Sequence, residues 1–197
     1  MSIWFLISFL GMLLIIPIYF LSVEHNMLDK RFGKEKGYKV GAALGMASGW
    51  GFFIFLIGLW ISPQERFALQ VTDINLLGIP LLHLLFAVLL LAPGAWLGIK
   101  GVTEVGMKTA ETHRADYVVS TGIYSKVRHP QYLGSILAHV GATFLFSAYY
   151  SLLVTPIVIL VHYVFCWKEE QELIKEFGDE YKKYRDSVPM LIPGFRR

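Results

Sequence analysis

Thr121-Gly122-Ile123-Tyr124-Ser125-Lys126-Val127-Arg128-His129-Pro130-Gln131-Tyr132 is the stretch that decides how this chain is read. It is polar and basic, and an apolar run follows it at once. That run holds no Lys, Arg, Asp or Glu from Leu133 to Trp167, and Glu169-Glu170 stands just beyond it. Ser147-Ala148-Tyr149-Tyr150-Ser151 is its most turn-like point, so the run reads as a helical hairpin. A turn centred near Tyr149 sets His129 level with Glu170. At ~1.5 Å per residue each arm covers about 30 Å, one hydrocarbon thickness. The Arg-His-Pro turn and the Glu pair are therefore expected to meet at one membrane surface.

Composition agrees. Of 197 residues, 55% are hydrophobic and 17% charged, which excludes a soluble domain with an ordinary polar surface. One cysteine, Cys166, excludes an internal disulfide framework. A net charge of +3 is too small to argue for a nucleic-acid partner. The expected fold is an all-α polytopic membrane protein, a single integral domain over 1–197. Its five transmembrane helices fall at about 3–21, 40–61, 76–99, 130–147 and 152–167. The last two form the hairpin.

Working outward, the first run lacks a basic leader and a small-residue cleavage site, so it reads as a retained span. Glu24 to Lys39 reads as a loop. Gly41, Gly45 and Gly49 recur at four residues and offer a close-packing face, within the chain or between subunits. Pro93-Gly94 marks a kink or break in the third span. Beyond Trp167, Leu173, Phe177 and Tyr181 recur at four with charges on the other face. This predicts a cytoplasmic amphipathic helix continuing the fifth span, weakened at Gly178 and ended by Pro189 and Pro193. With five spans, seventeen of the eighteen Lys and Arg fall on one side. The positive-inside rule makes that side cytoplasmic, with the N-terminus outside and the C-terminus inside.

Ionisable residues at a hairpin mouth are candidates for function. Arg128 and His129 suit a carboxylate, and Glu169 and Glu170 suit an ammonium or a pair of hydroxyls. Tyr124 and Tyr132 add hydroxyls and aromatic faces. S-adenosylmethionine presents all the matching groups, but composition does not single it out. Other readings stay open. Arg128 taken alone is a snorkelling anchor, and the Glu pair alone is the solvated start of a helix. His139 and His162 at similar depth suit a bis-His haem, and His162 also suits a place above the same pocket. The glycine face suits a purely structural protein.

Gly122-Ile123-Tyr124, Arg128-His129-Pro130-x-Tyr132 with Leu133-Gly134, Glu169-Glu170-x-x-Leu173, and Phe177-Gly178-Asp179-Glu180-Tyr181-x-x-Tyr184 with Val188-Pro189 together resemble the isoprenylcysteine carboxyl methyltransferases. The resemblance covers roughly residues 115–194, the expected cofactor-binding part. Phospholipid methyltransferases and the C-terminal parts of some membrane sterol reductases share a looser version. The resemblance implies an integral membrane enzyme using S-adenosylmethionine and releasing S-adenosylhomocysteine, with a lipophilic or prenylated acceptor and no metal. It implies that His129, Tyr132, Glu169 and Glu170 contact the cofactor, with Tyr124 and Leu133 nearby and Arg128 and His129 positioning it. No residue is assigned a certain catalytic role. Eukaryotic prenylcysteine enzymes carry arginines before the Glu pair, where this chain has His162-Tyr163-Val164-Phe165-Cys166-Trp167. That departure bears on the acceptor, and the short form suggests a prokaryotic cell membrane. A carboxylate acceptor, ionised at pH 7, needs no base. An amine needs one, and His129 or a Glu would serve. A phospholipid amine methyltransferase and an NADPH-dependent membrane reductase are the rival enzymes.

Overall fold

The computed structural model describes residues 1–69 and 74–194. Part of the expected 62–75 loop, and Arg196 and Arg197 of the basic tail, lie outside the described residues. Helices dominate because a lipid-embedded backbone must satisfy its own hydrogen bonds. Helix α1 is Ile3–Val23, with the Ser2 hydroxyl accepting from the Phe5 amide at 3.3 Å. Helices α2, His25–Phe32, and α3, Lys34–Ile61, follow. A two-residue hairpin, β1 (Asn75–Leu76) and β2 (Ile79–Pro80), leads into α4, Leu81–Val105. Then come α5, Met107–Thr112, a 3₁₀ turn at Gly122–Ser125, α6, Pro130–Leu145, α7, Tyr149–Phe177, and α8, Asp179–Ser187.

Among the described residues, four helices, α1, α3, α4 and α7, are long and apolar enough to cross a membrane. Exposed Ile7, Leu10, Leu14 and Leu21 run down one side of α1, an apolar stripe that only lipid or another apolar surface would cover. The five expected spans become four on this criterion. The difference is α6, whose 16 residues give about 24 Å of helix.

Helix α6 is tied to its neighbours at its end and along its length. Its C-terminal turn, Phe146–Ala148, meets the chain leaving α3: the Tyr149 amide donates to the Glu65 carbonyl at 3.1 Å and the Phe67 amide to the Ser147 carbonyl at 3.1 Å. At the opposite end lie α2, α5, the 3₁₀ turn and α8. Along its length α6 bonds to α7 through Thr143 to Ser151 (3.1 Å), His139 to Thr155 (3.2 Å) and Ser135 to His162 (2.9 Å). Its other face lies on α4, backbone to backbone. A Cβ on Gly134 would come within 2.6 Å of the Gly94 carbonyl oxygen.

The Glu24–Lys39 stretch is helical rather than a loop. Leu28 is buried, and Asp29 is paired with Arg114 at 2.6 Å, which ties α2 to the segment after α5. Pro93 does not break α4, and Pro156 does not break α7. Helix α7 ends only at Gly178, whose φ of 57° turns the chain into α8. The glycine face of α3 is used within the chain. Gly41 receives Leu28, Gly45 receives the end of α5, and a Cβ on Gly49 would meet nothing within 4 Å.

Candidate functional site

The Arg-His-Pro turn is fixed from two sides. Glu104 of α4 accepts from the Ile123 amide at 2.7 Å, pinning the 3₁₀ turn. The tail beyond α8 runs back along the turn, so that the Arg128 amide donates to the Pro189 carbonyl (2.9 Å) and the His129 amide to the Met190 carbonyl (3.1 Å). Pro130 then starts α6, where its missing N–H leaves nothing unpaired. Tyr124 lies beneath, donating to the Gly101 carbonyl at 3.1 Å and accepting from Gln131 at 3.1 Å. Burial pushes its hydroxyl up to about 12, so it stays a neutral hydrogen-bonding group.

Arg128, His129, Tyr132, Glu169 and Glu170 come together in one cluster. Arg128 donates from Nε to Glu170 at 2.7 Å, and from Nη1 to the carbonyls of Arg185 (2.7 Å) and Val188. His129 stands between the two carboxylates, with Nδ1 3.3 Å from Glu169 and Nε2 3.1 Å from Glu170. Burial opposes its protonation. Cys166 and the two carboxylates reverse this and hold His129 well above its ordinary value. It is therefore an imidazolium donating to both acids. Tyr132 donates to Glu169 at 2.6 Å; Tyr19 bonds to the same carboxylate, and its hydroxyl meets that of Tyr132 at 2.6 Å.

This cluster forms one wall of a cavity of about 700 Å³, within the ~300–1,000 Å³ usual for small-molecule sites. Of the residues expected at a cofactor, Tyr124, His129, Tyr132 and Glu169 line it. Glu170 does not. It sits behind, holding Arg128 and His129. Leu133 does not line it either. Gly49, Phe52 and Gly98 extend the cavity between α3 and α4, giving it an apolar arm beside the polar cluster.

Among the lining residues that were not foreseen are Tyr19, His25 and His113. Tyr19 stacks on Phe165 with centroids 4.0 Å apart, and His113 meets its ring edge-on at 4.9 Å. Nothing local marks them, since they reach the site from α1, α2 and the end of α5. His162 does line the cavity, but Val158 and Ser135 engage both its ring nitrogens. His139 is likewise engaged, by Trp60 and Thr155, so neither ring offers a haem iron a free nitrogen.

The family model for phospholipid methyltransferases matches residues 82–180, just over half of the chain. Methanethiol S-methyltransferase 1 of Bradyrhizobium diazoefficiens is 41% identical over 71 residues, 36% of this chain and 24% of the relative. The protein-S-isoprenylcysteine O-methyltransferase of Schizosaccharomyces pombe is 36% identical over 84 residues, 39% of this chain and 33% of the relative. That of Saccharomyces cerevisiae is 34% identical over 88 residues, 40% and 34%. The chain thus spans about a quarter to a third of the length of these curated relatives. No solved structure matches this one. The Arg128–Tyr132 and Glu169–Leu173 motifs fall inside the matched region, and the chain belongs to the phospholipid methyltransferase family.

Proposed function

We propose that this protein transfers a methyl group from S-adenosylmethionine to a lipophilic acceptor at the cytoplasmic face of a membrane. One observation carries the reading: the Glu169 carboxylate, oriented by Tyr19, Tyr132 and His129, forms the wall of the 700 Å³ cavity. A carboxylate held this way suits an ammonium, and the hydroxyls and rings around it suit a nucleoside. Tyr124, His129, Tyr132 and Glu169 would hold the cofactor, with Glu170 and Arg128 keeping His129 in place. When bound, the cofactor supplies a methyl group already activated by a sulfonium. The protein's own contribution is alignment and exclusion of water.

The fit of α6 between the two ends of the bundle supports a fifth crossing. With a fifth crossing, the positive-inside rule favours an outside N-terminus and a cytoplasmic cluster. The apolar arm between α3 and α4 suits an acceptor drawn from the bilayer. The resemblance points to an isoprenylcysteine-like carboxylate, while relatives named for methanethiol put a thiol beside it.

Thermal unfolding of the detergent-purified protein tests the reading against the reductase alternative. S-adenosylmethionine and S-adenosylhomocysteine are expected to raise the midpoint, by the equivalent of ~2.7 kcal/mol at a hundredfold excess over Kd, and NADPH is not. Stabilisation by NADPH alone would overturn it.

A further inference from the structure

We propose that His113, backed by His25 and Glu176, takes a proton from the acceptor, and hence that the acceptor is a thiol or an amine rather than a carboxylate. The inference rests on the methyl-transfer reading above. It starts from two unsatisfied atoms. Among the described residues, Nδ1 of His113 and Nε2 of His25 are buried side-chain nitrogens with no hydrogen-bond partner. Both rings line the cavity. Buried polar atoms are almost always paired, so an orphaned pair at a cavity wall points to chemistry there.

The cavity wall also disfavours an anion. Arg128 is the one Arg or Lys among the described lining residues, and its Nε and Nη1 are committed to Glu170 and two carbonyls. Three carboxylates line the same space, Glu169, Glu172 and Glu176, of which Glu172 is paired with Lys168 and Lys175. An acceptor carboxylate would stand beside Glu169 and Glu176, with Arg128 already drawn to Glu170. His129, the base expected from sequence, has an acid against each ring nitrogen, so it has no room for a further proton.

His113 suits the role by position. It touches Tyr19, which bonds to Glu169, and so stands one ring from the candidate cofactor carboxylate. His25 has Nδ1 3.8 Å from Glu176, which is 31% exposed and opens a way to solvent. The groups facing His113 are Tyr19 from α1, His25 from α2 and Glu169 from α7, while Gly45 of α3 lies against Nδ1, where a Cβ would come within 3.2 Å. Burial pushes His113 below its ordinary value, Glu169 opposing and His25 adding, so the ring is neutral at pH 7. As the acceptor's sulfur or nitrogen bonds to the methyl carbon, the carbon–sulfonium bond breaks and its electron pair returns to sulfur. The acceptor's S–H or N–H proton passes to His113. The positive charge of the donor reappears on the imidazolium, beside carboxylates.

The test offers reconstituted protein dodecanethiol, dodecylamine or dodecanoate with labelled S-adenosylmethionine, and measures S-adenosylhomocysteine binding separately. The thiol or the amine is expected to be methylated and dodecanoate not. His113→Asn, which tolerates the φ of 55° at this position, is expected to lower kcat about 100-fold. It should also remove the acid limb of the pH–rate profile and leave S-adenosylhomocysteine binding unchanged. His25→Gln serves if that variant does not fold, with the same direction and unchanged binding. Methylation of dodecanoate, unchanged kcat in the variants, loss of S-adenosylhomocysteine binding in them, or a wild type that binds S-adenosylhomocysteine yet methylates neither thiol nor amine would each overturn the proposal. A well-folded wild type that binds no S-adenosylhomocysteine would instead fell the methyl-transfer reading beneath it.

Discussion

Glu170→Gln separates holding the site from holding a ligand. Glu170 is 4% exposed and pairs with Arg128 at 2.7 Å and His129 at 3.1 Å. The Arg128 side chain is 8% exposed, so neither partner finds water when the carboxylate is removed. His129 then keeps only Glu169, and Arg128 keeps only the carbonyls of Arg185 and Val188. Breaking a buried pair by deleting one partner costs about 3–5 kcal/mol. Gln keeps an acceptor oxygen, which puts the expected loss near ~3 kcal/mol. At ~2–4 °C per kcal/mol for a chain of this size, the midpoint should fall by roughly 6–12 °C. Cys166 is the only cysteine and is fully buried, so a thiol-reactive dye in detergent reads unfolding directly. Glu169→Gln should shift the midpoint less, because the hydroxyls of Tyr19 and Tyr132 can still bond to each other. A Glu170→Gln protein that unfolds at the wild-type temperature would refute the view that Glu170 anchors Arg128 and His129.

Gly134→Leu should prevent folding, since even a Cβ there lies 2.6 Å from the Gly94 carbonyl oxygen and 2.9 Å from the Gly98 amide nitrogen; recovery of monodisperse protein in detergent checks it. Asp29 is held below its ordinary value by its hydrogen bond to Arg114. A depressed carboxylate stabilises fully above its unfolded value, about 3.9, and that stability is lost as pH falls through the folded value. The midpoint gap between wild type and Asp29→Asn should therefore be present at pH 7 and close in acid below about pH 4. Tyr184→Phe removes the 2.7 Å bond to the Tyr124 carbonyl in a buried setting, and the same dye assay should register a loss of about 1 kcal/mol.

The meeting of Arg128 and His129 with Glu169 and Glu170 was legible because one uncharged run separates them and its midpoint carries turn residues. Charge and spacing sufficed. Tyr19, His25 and His113 were not legible. Each is an ordinary residue in its own segment and gains meaning only when α1, α2 and α5 fold against α7. The helix at His25–Phe32 escaped notice because Gly33 and Gly37 read as loop residues. In the structure Gly33 turns the corner with a φ of 79°, and Gly37 lies inside α3, where it lets Asp29 approach. Glu170 was read as a ligand group because sequence cannot tell which face of α7 its carboxylate takes. In the structure that carboxylate pairs with Arg128 and His129 and does not line the cavity.

Calorimetric titration of the detergent-purified protein with S-adenosylhomocysteine, beside Glu169→Gln, tests the central claim most directly. Saturable one-to-one binding to wild type is expected, lost in a Glu169→Gln variant that remains folded by the Cys166 dye. Binding of equal affinity by both proteins, or none by well-folded wild type, would contradict the assignment of this cavity to the methyl donor.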